Sequence, residues 1–321
     1  MRVDSSTDRR SLATKISAPA FETVVGHSSR WRYLAKFGLI LLGLTALFLW
    51  SPVSLPATGY AWLLLGFLFS LLSYVLYALR FRVSLAAVGV AMGSLQTVRL
   101  NSFATFCQFF VPLSVGADLT RFALCRDLDP KHRGLRCAGG IIVDHCTGLL
   151  TALLIGAALS YTVIPPLPTV TQYAQMIVAA LGVLSVVTGV WVWRRRARRS
   201  HYRLGILLRT RWRNLMLGIG FSLAMQLTLA GAVFVGSVEW HNSLTYSEVL
   251  WVLACGSVMQ LVPINVAGIT VGDAAGVGLY VALGLAMAEA LQLVALFYVY
   301  RLSVAIIGGL WQLIPERPKS R

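Results

Sequence analysis

From Phe37 to Leu79 the chain runs for 43 residues without a single Lys, Arg, Asp or Glu. No soluble core of ordinary size hides such a run, and helical spans of about 20 apolar residues are the structure that suits it. Ser51, Pro52, Pro56 and Gly59 interrupt it, which divides it into two helices joined by a short loop. From Cys137 to Trp193 the only formal charge is Asp144, and Pro165, Pro166 and Pro168 split that stretch into another pair. From Asn214 to Tyr300 there is no Lys or Arg, only Glu239, Glu248, Asp273 and Glu289, and from Ala290 to Ile314 the one charge is Arg301. With 57% hydrophobic and 12% charged residues and a mean hydropathy of +0.72, the chain is excluded from the soluble, disordered, collagen-like and disulfide-framework classes.

Where the 28 basic residues fall sets the expected orientation. Seven precede Phe37, three lie between Arg80 and Arg99, five between Arg121 and Arg136, nine between Arg194 and Arg213, and three in the C-terminal tail. If these segments share the cytoplasmic side, the loops at 51–59, 162–171 and 239–248 carry no Lys or Arg, and both termini are cytoplasmic. The Arg-rich segment 194–213, flanked by spans, reads as a loop held against anionic headgroups and not as a nucleic-acid site. No signal-peptide cleavage site follows the first span, so it is expected to stay as an anchor. The LPATG at 55–59 is an internal loop, and Arg2 removes an N-myristoylation signal. The five cysteines contain no Cys-x-x-Cys pair, and Cys125, His132, Cys137, His145 and Cys146 match no standard metal spacing, so no metal and no cofactor are expected.

Two apolar segments are too short to cross and return as full spans. Asn101 to Leu119 lies between basic edges and is broken by Pro112, Ser114 and Gly116. Twenty-odd residues at 1.5 Å each cannot cross about 30 Å twice, so a re-entrant hairpin over 100–120 is expected. A second hairpin is expected over 245–285, broken at Pro263, Asn265, Gly268 and Gly272. The predicted fold is therefore all-α: six transmembrane helices plus two re-entrant helical hairpins in two inverted-topology repeats, 34–161 and 162–314, between basic tails at 1–33 and 315–321.

Charges inside this frame are the candidate site. Asp118 and Asp273 fall where the returning half-helices start, either as caps or as substrate or proton-coupling groups. Arg121, one turn after Asp118, reaches that carboxylate or a lipid phosphate. Asp144 and Arg301 lie near mid-bilayer, 26 and 28 residues beyond Asp118 and Asp273, and are expected to face one cavity as a pair or a shared clamp. Gln260, Asn101, Gln108 and Asn265 are expected to satisfy backbone groups freed at the breaks or to line a headgroup pocket.

The Pro112, Gly116, Asp118, Arg121 hairpin motif, the acid-base step Asp144-His145 and the Gly268, Gly272, Asp273 hairpin together resemble the lysylphosphatidylglycerol synthase transmembrane family, also called flippase-like domain proteins. The similarity runs from about Tyr33 to Gln312. Arg82 falls on the family's arginine after the second span, and Asn101 falls near the asparagine preceding the first break. Ala117 replaces a usual second glycine, His145 stands where arginine is expected, and Asp273 stands where glutamate is commoner. The resemblance implies movement of polar lipids across a bilayer, in some members beside a soluble aminoacyltransferase domain. No such domain is expected here, since the sequence closes at Arg321.

The expected function is thus translocation of a polar lipid, phosphate-bearing, aminoacylated or glycan-linked, across the cytoplasmic membrane, without enzymatic chemistry. Expected binding residues are Arg82, Asp118, Arg121, Asp144, His145, Asp273 and Arg301, with Arg80 at the entry edge. Partners are membrane lipids and anionic headgroups on the cytoplasmic face, with association with lipid-modifying or glycan-assembly enzymes left open; no nucleic acid is expected, and the pattern sets no oligomeric state. The alternative is a membrane enzyme of glycoconjugate assembly, using Asp127-Leu128-Asp129 to hold a metal and nucleotide-sugar, or an accessory subunit of such a pathway.

Overall fold

A computed structural model describes residues 59–110, 116–126, 134–163, 212–238, 244–262, 264–266 and 268–312. Among these residues there are four helices long and apolar enough to cross a membrane: α1 (Gly59–Ala87), α4 (Leu135–Val163), α5 (Trp212–Ser237) and α8 (Met287–Trp311). Between them lie two pairs of shorter helices, α2 (Ser94–Phe110) with α3 (Gly116–Arg126), and α6 (Tyr246–Met259) with α7 (Val271–Ala282). A two-stranded antiparallel ribbon, β1 (Asn265–Val266) and β2 (Ile269–Thr270), turns the chain from α6 into α7. At 1.5 Å per residue the short helices measure between about 17 and 26 Å, less than a hydrocarbon core of about 30 Å.

The helices are dressed inside out. Tyr60, Leu64, Leu68, Leu72 and Val75 recur every three or four residues along α1 and are exposed, while Ser70, Ser73, Ala78, Arg80 and Ser84 of the same helix are buried. Leucine outside and small or polar residues inside is the pattern of a helix whose outer solvent is lipid and whose partners are held by close packing. This is a multi-pass membrane protein.

Close packing is visible between α1, α5 and α8. The Tyr300 hydroxyl of α8 donates to the Leu63 carbonyl at 3.0 Å, and it sits where any Cβ on Gly66 of α1 or Gly236 of α5 would be. Farther along, α4 packs against α6 and α1, and α2 packs against α8 and α3. Each short pair also holds itself together, α3 on α2 and α7 on α6. At the second pair the backbones nearly touch, because a Cβ on Gly272 would overlap the Gly256 carbonyl oxygen.

Three expectations are corrected or bounded here. The first short pair spans more than 100–120, since α2 begins at Ser94 and α3 ends at Arg126. Arg99 does not end the segment: its Nε donates to Gln312 Oε1 at 3.2 Å, and arginine is an ordinary helix former. Likewise α1 continues past Leu79, and Arg80, read as a cytoplasmic edge, is buried within the helix. The spans expected before residue 51 and between 171 and 193, the loop 194–211, Pro112, Pro263 and the Asp127–Asp129 motif lie outside the described residues.

Candidate functional site

Both short pairs bring their second helix to one cavity of about 500 Å³. Ala117 and Asp118 in the first turn of α3, and Gly272 and Asp273 in the first turn of α7, all line it. Volumes of this order are typical of sites for small molecules.

The start of α7 is built by a capping box. Thr270 Oγ1 accepts from the Asp273 N–H at 3.3 Å, and Asp273 Oδ2 accepts from the Thr270 N–H at 2.7 Å. The same Oδ2 receives Arg301 Nη2 at 2.8 Å, and Arg301 Nη2 also donates to the Gly268 carbonyl at 3.1 Å. Gly268 has φ +86°, a left-handed conformation that glycine adopts without strain, and a Cβ there would overlap the Phe109 ring at the end of α2. Asn265 joins the two pairs: its Nδ2 donates to the Gln108 carbonyl at 3.0 Å and its Oδ1 accepts from the Gly268 N–H at 2.8 Å. Arg301 lies over the Phe297 ring at 4.6 Å, keeps 21% of its side chain accessible and lines the cavity.

Opposite stands a second charged group. Arg80 of α1 makes a two-pronged bond to Asp144 of α4, Nε to Oδ1 at 2.8 Å and Nη2 to Oδ2 at 2.9 Å. Arg121 of α3 lies 3.8 Å from Asp144 Oδ2 and donates to Asp118 Oδ1 at 3.3 Å. The guanidinium carbons of Arg80 and Arg121 both lie over the Tyr77 ring, at 4.8 and 4.7 Å. His145 Nε2 meets Asp118 Oδ2 at 2.7 Å, with the imidazole more than half exposed.

These contacts redistribute the expected roles. Asp118, His145, Asp273 and Arg301 line the cavity; Arg121 and Asp144 stand fully buried behind its wall. Arg121 meets the Asp118 carboxylate, one of its two expected partners. Asp144 and Arg301 do not form the expected pair, because each has an opposite charge at 2.8 Å, Arg80 and Asp273 respectively. Arg82 is exposed, donates to the Met92 carbonyl at 3.0 Å and does not line the cavity, whereas Arg80 does. Gln260 and Gln108 are cavity residues, Asn265 satisfies backbone as expected, and Asn101 is fully buried with neither amide atom hydrogen-bonded. Gly116 opens α3 and is buried there.

Two wall residues escaped the reading of the sequence. Gln226 and Tyr280 are lining residues, and the Gln226 Oε1 and the Tyr280 hydroxyl are buried with no hydrogen-bond partner among the described residues. The Thr-x-x-Asp and Thr-x-x-Glu spacings at 270–273 and 245–248 announce the capping boxes of α7 and α6 and could have fixed both helix starts.

No curated protein and no solved structure matches the chain. With residues 33–309 matched by the family model described as the lysylphosphatidylglycerol synthase TM region, the chain belongs to that family.

Proposed function

We propose that this protein is a lipid translocator of the cytoplasmic membrane, which moves a polar, phosphate-bearing lipid between leaflets without altering it chemically. In this reading α2–α3 and α6–α7 are re-entrant hairpins, the whole forms two inverted repeats of three spans and a hairpin, and both termini are cytoplasmic. The observation that carries it is the meeting of two short-helix starts and four polar or charged groups, Asp118, His145, Asp273 and Arg301, in one cavity between apolar spans.

Ionisable side chains are costly inside a bilayer, and those found there mark paths for polar cargo. Helix starts add N–H groups and a partial positive charge, which favour a phosphate oxygen. Arg301 supplies the formal charge, and the Leu253, Leu293 and Val294 walls of the same cavity suit the apolar part of the lipid. Rocking of one repeat against the other would expose the cavity to each leaflet in turn. The basic segments, 194–213 above all, would hold the cytoplasmic face against anionic headgroups.

The test is reconstitution in liposomes with fluorescent phospholipids of several headgroups, read by quenching of the outer leaflet. At least one lipid should exchange leaflets faster than in empty vesicles, and Arg301→Gln should abolish the gain. No exchange of any lipid, together with metal-dependent sugar transfer lost in Asp127→Ala, would replace the translocator with an enzyme.

A further inference from the structure

Among the described residues, seven ionisable groups other than phenols and thiols form or directly back the cavity wall. Arg80, Asp118, His145, Asp273 and Arg301 line it, and Arg121 and Asp144 contact those that do. Three arginines against three aspartates sum to zero with His145 neutral and to +1 with His145 protonated. The state of one imidazole therefore sets the net charge of the cavity.

We propose that His145 couples entry of an anionic headgroup to uptake of one proton, so that the cavity carries no net charge either empty or loaded. The inference rests on the translocator reading and names the coupling of that same site.

His145 is placed for this role. Its ring is 53% exposed, it lines the cavity, and its Nε2 sits 2.7 Å from Asp118 Oδ2. Imidazole is the one group in the set that ordinarily changes charge between pH 5 and 8. The helices packed against α4 are α1, α3, α5 and α6. From α1 come Tyr74, Tyr77 and Arg80, from α3 Asp118 and Arg121, and from α4 itself Asp144 and Cys146. The ionisable side chains of α6 are Tyr246, Glu248 and Cys255, with Glu248 held in that helix's capping box, and α5 carries Arg213 near its first turn. None of these α5 and α6 groups lines the cavity.

The charge accounting gives the direction. With the ring neutral, Asp118 needs Arg121, and Arg80 needs Asp144; the wall is balanced and an added phosphate brings a net negative charge into the span. With the ring protonated, imidazolium compensates Asp118, and Arg80 and Arg121 share the single carboxylate of Asp144. One positive charge is then in surplus, and a phosphate monoanion cancels it. Two neutral states are the ones that cross a low-dielectric core at least cost.

Liposome flux and binding of phosphatidylglycerol and phosphatidylcholine between pH 5.5 and 8.5 test the inference. Linkage of one proton predicts that phosphatidylglycerol affinity rises by up to about tenfold per pH unit on acidification, while phosphatidylcholine stays flat. His145→Arg and His145→Gln should each remove the pH dependence. An imposed pH gradient should drive phosphatidylglycerol, and a valinomycin–potassium potential should not. A pH-flat wild-type preference, or a profile unchanged in both variants, overturns the coupling while leaving translocation in place. If no lipid moves at all, the translocator reading falls, and equilibrium binding of short-chain phosphatidylglycerol in detergent at pH 6 and pH 8 still decides the coupling: equal affinity refutes it.

Discussion

Asp144→Ala is the substitution whose cost can be worked most directly from the contacts. Asp144 is fully buried and takes both prongs of Arg80 at 2.8 and 2.9 Å, with Arg121 at 3.8 Å. Without it Arg80 keeps, among the described residues, Ser222 Oγ at 3.4 Å and the face of Tyr77, and Arg121 keeps Asp118. Removing one member of a buried pair strands the other charge, which costs about 3–5 kcal/mol, or roughly two to four orders of magnitude in a folding equilibrium. Replacing both members, Arg80→Met with Asp144→Leu, leaves the wall balanced at three fewer ionic contacts and should recover most of the loss, since apolar residues of similar volume often match a buried pair. Unfolding in a graded sodium dodecyl sulfate titration, followed by tryptophan fluorescence, measures both. A single variant that loses less than about 1 kcal/mol, or a double variant no more stable than the single, would refute the pairing.

Other consequences are simpler to state. Arg80→Gln should abolish lipid exchange and Arg82→Gln should leave it within about twofold in the liposome assay, because only Arg80 lines the cavity and Arg82 holds the Met92 carbonyl outside it. Gly268→Ala meets both a φ of +86° and the Phe109 ring, so it should destabilise by about 1–3 kcal/mol in the detergent titration, and adding Phe109→Ala should return only the steric part. Thr270→Val removes the hydroxyl from the α7 capping box and should cost about 1 kcal/mol while weakening exchange, since it loosens Asp273 and through it Arg301.

The four described spans were legible because a long helix in lipid tolerates few charges, and gaps between charges are visible without any knowledge of contacts. The starts of α3 and α7 were legible from local sequence as well: Asp118 and Asp273 fall in their first turns. Partnership was not legible. Asp144 bonds a residue 64 positions earlier, and Asn265 bonds a carbonyl 157 positions earlier, distances over which sequence periodicity carries no information. Arg80 was assigned to the cytoplasmic edge because counting basic residues treats each as solvated, and a bidentate carboxylate partner removes that need. His145 was legible as a departure from the family's arginine, but its contact with Asp118 emerges only from the packing of α3 on α4.

Whether lipid passes through the cavity is the central matter, and a plug tests it most directly. Ser257 is small, partly buried and on the wall, so Ser257→Trp fills the passage while leaving every charged residue in place. The rate of leaflet exchange in liposomes, wild type against Ser257→Trp at equal protein loading and equal thermal stability, should fall to that of empty vesicles. Exchange by the plugged protein at the wild-type rate would mean that lipid travels by another route and that the cavity is not the path.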